Sequence, residues 1–284
     1  MNKKIVDFKT FEERLPLLNP IADNLSKDEI SSRVREEEAK LIKEDEQMLL
    51  AYNNLSPHPT KGMVLYRTTT SYPDFDENLV SFFSYPNAKI ARANRCNLSK
   101  HPVFYCSDSA AICINEATYN KTLNFPYYMY LSHWQVTIDK KWKIVPFVFQ
   151  QLPSTNSAYE YSERTKRALV EKYKNILKES EIQQYVQLYH QEFRKENDYR
   201  FSSLVAYKFL YEDDGDIVLY PTVQVAAEGN NYAINTKHID TGNLSLHRID
   251  KIRIEHNKDL NLLDWYLEAI GTPDGEHVKW TTAT

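Results

Sequence analysis

Strand-like and helix-like stretches follow one another in this chain without the regular strand–helix–strand alternation of a doubly wound sheet. Met63–Thr69, Val103–Ser107, Tyr127–Ile138 and Lys143–Phe149 are rich in β-branched and aromatic residues and read as strands. Residues 157–211 then change character. Leu169, Tyr173 and Ile176, then Ile182, Tyr185 and Leu188, then Leu204 and Tyr207 recur at helical spacing, which predicts about three helices. Strand-like runs return at Ile217–Tyr220, Tyr232–Asn235 and Ile249–Glu255. Irregular mixing of this kind points to an α+β fold.

The flanks read differently. Ser26 and Glu29 have the spacing of a capping box, and Ile30, Val34, Leu41 and Met48 follow on one face, so 26–50 is expected to be an amphipathic helix. The Pro- and Gly-bearing stretch 53–62 reads as a linker. The run LNLLDWYLEAI (260–270), closed by Gly271 and Pro273, is expected to be a last helix. The organisation read from the chain is therefore a helical extension over 1–60, a main domain over 61–257 with a helical insert at 157–211, and a C-terminal helix and tail over 258–284.

Composition excludes several classes. With 6 glycines the chain carries neither a Walker-type phosphate loop nor a GxGxxG turn. A net charge of −4 leaves no basic face for nucleic acid, although Arg92, Arg95 and Lys100 cluster enough to meet a small anion. No apolar run approaches a membrane span, and Asp7, Lys9 and Glu12 interrupt the first apolar residues, so no signal peptide is read there. The 3 cysteines, Cys96, Cys106 and Cys113, lack zinc or disulfide-framework spacing, and a reducing cytoplasmic setting is expected. His238, His247 and His256 recur every nine residues. That spacing suits no metal motif, and no metal is expected.

Two segments gather the candidate chemistry, and one polar pocket assembled from 91–116 and 219–238 is expected. In the first, Arg92, Asn94 and Arg95 precede a strand that holds Tyr105, and Glu116 lies on the helix that follows. Arginine can clamp phosphate, tyrosine can stack on a planar ring, and a carboxylate can stabilise positive charge at an anomeric carbon. Taken alone, Glu116 would be a solvent-facing helix residue and Tyr105 a core residue. In the second segment, Thr222 offers a hydroxyl after Pro221, and Gly229-Asn230-Asn231 is a turn signal between two strand-like runs.

Taken in order, these residues resemble the RES family, named for an Arg, a Glu and a Ser. The matches are Leu65-Tyr66-Arg67, Arg92-Ala93-Asn94, Pro102 to Ser107 with Tyr105 between them, and Glu116. Pro221-Thr222, Glu228, Asn231 to Asn235, His238 and Asp240 follow. Two positions depart from the pattern. Thr222 stands for the serine, keeping a hydroxyl but adding a methyl that fixes the rotamer, and Ala91 stands for a glycine.

The resemblance implies an ADP-ribosyltransferase-like core of mixed or antiparallel sheet, with the N-terminal helical extension and the helical insert as additions. It also implies an enzyme that takes NAD+ as substrate, with no separate cofactor, and cleaves the bond between nicotinamide and ribose with water or phosphate as acceptor. Such proteins are typically bacterial toxins held by a helix-turn-helix antitoxin. Carried onto this chain, Arg67, Glu116 and Thr222 would be catalytic. Tyr66, Arg92, Asn94, Tyr105 and Asn231 would bind the substrate. The N-terminal and inserted helices would cover the core, form a homodimer surface or meet the antitoxin. Two alternatives stay open: transfer of ADP-ribose to a macromolecule, and a binding protein on a RES scaffold that has lost catalysis.

Overall fold

A computed structural model describes residues 54–56, 58–71, 75–118, 125–146, 152–175, 200–222, 229–257 and 262–283, with single positions between 178 and 199. The strands are β1 (Asn54–Ser56), β2 (Val64–Thr70), β3 (Phe104–Ser107), β4 (Tyr127–Val136) and β5 (Trp142–Pro146), then β6 (Ile217–Pro221), β7 (Asn230–Ile234), β8 (Leu244–Asn257), β9 (Leu262–Asp274) and β10 (His277–Thr282). The helices are α1 (Ala110–Thr118), α2 (Tyr159–Tyr173), α3 (Arg200–Tyr207) and the short α4 (Lys237–Asp240). The chain is α+β, with parallel and antiparallel strand pairs both present. Among the described residues no helix is long and apolar enough to cross a membrane.

The chain divides into two compact units. One holds 56–86, 104–142 and 221–284. Its strands follow the order β7-β3-β2-β4-β8-β9-β10, and its ladders are antiparallel. Alternation along the strands gives the sheet two faces. On one face, α1 lays Cys113 and Ile114 onto Met129, Leu131, Ile252 and Ile254. On the other, Phe83, Tyr130, Ile249 and Val278 form a second cluster, joined by Phe75, Val80, Leu246 and Trp280. Each fully buried side chain of this size contributes about 1.5–3 kcal/mol. The carboxylate of Glu77 closes the margin of that second cluster, accepting from the Tyr130 hydroxyl at 2.5 Å and from Lys251 at 2.7 Å.

The other unit holds 1–55, 87–103 and 143–220. Its described strands are β1, β5 and β6, with β5 and β6 parallel. α2 buries Tyr161, Thr165, Leu169 and Tyr173 along one stripe. α3 passes into a π-helical turn at Lys208–Glu212, and Tyr207 stacks on Tyr211 with centroids 5.4 Å apart. The Asp216 carboxylate accepts from the Lys143 amide at 2.8 Å.

Two expectations need correcting. The run at 260–270 is not a helix: Leu262–Asp274 is β9, paired with β8 from Ile249 to Asn257. The Leu, Glu and Ala content reads as helix, and pairing along a long neighbouring strand overrides that local propensity. Accordingly, 258–284 contributes two strands rather than a helix and tail. Nor are Asn230 and Asn231 turn residues, since both lie within β7. The expected helix at 26–50 and Glu228 lie outside the described residues.

Candidate active site

The site grows from the junction between β3 and α1. Ser107 ends β3 fully buried, and its hydroxyl donates to the Asn230 carbonyl at 2.7 Å while accepting from the Ser109 amide. Asp108, just ahead of the helix, reaches back to β7. Its carboxylate accepts from the Asn230 backbone amide at 3.3 Å and from the Asn230 side-chain amide at 3.2 Å. The junction and the start of β7 are thereby bound by charge-assisted bonds.

Gly229 sits where a side chain has no room. A Cβ there would lie 1.7 Å from Ile112 Cδ1 and 3.7 Å from an Asp108 carboxylate oxygen. The carbonyl of Gly229 accepts from the Thr222 amide at 3.1 Å. Thr222 is buried, and its hydroxyl has no hydrogen-bond partner among the described residues.

On the next turns of α1, Glu116 projects toward β7 half-buried, and the Asn231 side-chain amide donates to its carboxylate at 3.1 Å. Asn231 lies opposite Ser107 in the β3–β7 ladder, which carries Tyr105 opposite Ala233 on the same face. Helix and strand thus bring a carboxylate, an amide and a half-buried phenol to one side of the sheet.

Arg67 enters from a different direction. The ladder between β2 and β3 consists of the single pair Tyr66–Ser107. Beyond it, the Arg67 guanidinium donates to the Tyr105 carbonyl at 3.1 Å and lies over the Phe104 ring, 5.6 Å from its centroid. It supplies a donor to a carbonyl that the short ladder leaves over. Behind it, the Cys113 thiol donates to the Tyr66 carbonyl at 2.9 Å. Burial pushes this thiol up to about 12; the positive charge of Arg67 opposes the shift and the negative charge of Glu116 adds to it. Both charges therefore act on one buried atom of α1.

A second buried network backs the site, and neither composition nor spacing marks it. Tyr232, on the opposite face of β7 from Asn231, reaches the Asp108 carboxylate at 3.5 Å and meets His58 Nε2 at 2.9 Å. Burial and then Asp108 push the Tyr232 phenol well up. Burial pulls His58 down, opposed by Asp108. The position of Asp108 just before a helix is legible locally; its partners on β7 are not.

Arg92 and Asn94 belong to the other unit. The Arg92 side chain is exposed, and its carbonyl accepts from Asn97 Nδ2 at 2.8 Å. Asn94 pairs with Asn97 through the backbone, and its side chain accepts from the Arg95 amide at 2.7 Å. Among the histidines, His238 is buried and contacts Asn243 at 3.0 Å, His256 stacks on Phe125, and His247 is exposed. Among the described residues no group of three or more His, Cys, Asp or Glu side chains is placed to hold a metal ion.

The fold and site define an α+β domain in which one helix delivers a carboxylate to an amide on β7, where the short ladder between β2 and β3 is supplemented by an arginine. A family model for the RES domain matches residues 64–254, about two thirds of the chain. This protein belongs to the RES domain family. Among curated proteins no relative matches the chain.

Proposed function

We propose that the protein cleaves the N-glycosidic bond of NAD+ between nicotinamide and ribose, on a core that works like that of the ADP-ribosyltransferases. The observation that carries this reading is the Glu116 carboxylate, half-buried on α1 and held by Asn231 at 3.1 Å. Nicotinamide leaves as a neutral base from a cationic glycoside, so the reaction needs little acid catalysis. The barrier lies in the oxocarbenium-like state that forms as the ribose C1′–N bond breaks and its electron pair passes to the nicotinamide nitrogen. A fixed carboxylate beside the ribose stabilises that charge without reorganising. Water then bonds to C1′ and loses a proton, giving ADP-ribose; phosphate in its place gives the 1-phosphate.

Other residues fit supporting roles. The buried Thr222 hydroxyl, which meets no hydrogen-bond partner among the described residues, is suited to bond a ribose hydroxyl or the nicotinamide amide, because an unsatisfied buried polar atom costs about 1–3 kcal/mol until a ligand meets it. Tyr105 and Tyr66 would flank the planar ring, and Arg67 would fix the strands that carry them. In the cell, the protein would act as a toxin held by a helix-turn-helix antitoxin.

The test is NAD+ consumption by the purified protein, followed with product identification. Wild type should release nicotinamide, and Glu116→Gln should lose on the order of 10²–10³-fold in turnover with its fold intact. An unchanged rate in the variant removes the assignment. Label from NAD+ retained on a macromolecule, in place of free ADP-ribose or its phosphate, would make the protein a transferase.

A further inference from the structure

The register of the sheet aligns one polar residue from each of five neighbouring strands. Asn231 on β7 lies opposite Ser107 on β3, Ser107 opposite Tyr66 on β2, Tyr66 opposite His133 on β4, and His133 opposite Arg248 on β8. Directly opposed residues share a face, so the five form a row, about 19 Å long from the usual strand spacing. It lies on the face that carries α1, beyond the apolar contacts of the helix. At one end, the Asn231 amide holds Glu116.

The other end is built around a carboxylate. Asp250, two residues along β8 from Arg248 and on the same face, accepts from Arg248 Nε at 2.6 Å and meets His133 Nε2 at 2.9 Å. The Tyr66 ring meets the His133 ring edge-on, with centroids 5.0 Å apart. The outer end is the more exposed: the Arg248 side chain is 40 % exposed and that of His133 19 %, whereas Ser107 is 0 % and Asn231 8 % exposed. Beside the row, β4 and β8 change register between His133 and Trp134, leaving His247 as an extra residue. Such bulges re-aim side chains and recur next to functional sites.

Asp250 engages the Nε of Arg248, and that pair leaves the terminal nitrogens of the guanidinium outside it. That fork matches the oxygens of a phosphate. We infer that Arg248, oriented by Asp250, binds the diphosphate of a dinucleotide, with His133 and Tyr66 walling the path inward to Glu116 and Asn231. The inference rests on the NAD+ reading for the identity of the ligand, and it adds Arg248, Asp250 and His133, which neither the family resemblance nor the sequence motifs single out.

The experiment compares wild type with Arg248→Ala in NAD+ turnover, with ADP and nicotinamide as competitors. The loss should fall on KM rather than kcat, and the inhibition constant for ADP should rise about tenfold or more, while that for nicotinamide stays as in wild type. Should Arg248→Ala fail to fold by circular dichroism, Arg248→Gln, which keeps the stem packed, carries the same comparison. An ADP constant unchanged by the substitution, or ADP and nicotinamide weakened equally, overturns the subsite. If wild type does not consume NAD+, the glycosidic reading falls by itself. Calorimetric titration of ADP onto the two proteins then decides the subsite separately: binding lost in the variant supports it, and equal or absent binding rejects it.

Discussion

Asn231 and Glu116 are held 3.1 Å apart across the gap between β7 and α1, although 115 residues separate them in the chain. The carboxylate approaches from a helix that leaves β3, and the amide from the strand paired to β3. Removing the amide should therefore cost orientation without removing the charge. Asn231→Ala is expected to lower NAD+ turnover roughly 10–100-fold, in keeping with loss of one hydrogen bond to a charged group, and Asn231→Asp to lower it further by setting a second carboxylate beside the first. Steady-state kinetics on both variants check the order.

Gly229 is expected to be intolerant of any side chain. With Cβ placed 1.7 Å from Ile112 Cδ1, Gly229→Ala must displace the end of that buried side chain or part the chain at 229 from α1. Overpacking of this kind costs about 1–3 kcal/mol. Thermal unfolding should show the loss in wild type, and Gly229→Ala should cost much less when it is made in an Ile112→Ala background. An equal cost in both backgrounds would mean that the contact does not set the spacing.

The pH dependence of stability has two expected contributors. Burial raises Asp250, but the bonds from His133 and Arg248 outweigh it and hold the carboxyl below the usual range. Its contribution to stability is therefore fully present above about pH 4, the unfolded value, and is lost as pH falls through the lower native value. Asp250→Asn should flatten the acid limb of a plot of Tm against pH.

His58 acts in a higher window. Burial lowers its pKa despite the nearby Asp108, so the unfolded chain takes up its proton first. Stability is unaffected above about pH 6.5, the unfolded value, and declines as pH falls through the lower native value. His58→Gln, which keeps a partner for the Tyr232 hydroxyl, should remove that decline. An identical curve for the variant would show that His58 does not titrate with folding.

All 3 cysteines are buried, and burial raises each thiol. Native protein at pH 8 should react with a thiol reagent only slowly, whereas three equivalents should react at once in denaturant. Rapid native labelling of Cys113 would place α1 further from the sheet than the packing against Met129 and Leu131 allows.

Local sequence carried much of the fold. The β-branched run of β2, the short β3 ending in Ser107 and the helix bearing Glu116 are each legible from patterns within a few residues. The match of residues 64–254 to the RES domain agrees with the motif order read from those same residues. Legibility failed at β9 and β7. At 260–270 the helix-forming content is overridden by pairing with β8, which no local pattern announces. At 229–231 a Gly-Asn-Asn run suggests a turn; in the fold, both asparagine side chains find carboxylates, Asp108 and Glu116, that lie more than a hundred residues earlier.

What the chain determined by itself is therefore most of the elements, β9 and the start of β7 excepted, and the presence of a carboxylate, a hydroxyl and several guanidiniums. Which of these groups meet was decided by strand register. A slip of one residue turns every side chain of a strand to the other face, and register is set by packing and pairing along whole strands, not by any motif. That is why Glu116 and Asn231 share a face with Tyr66 and His133, and why Arg67, one residue on from Tyr66, lies over Phe104.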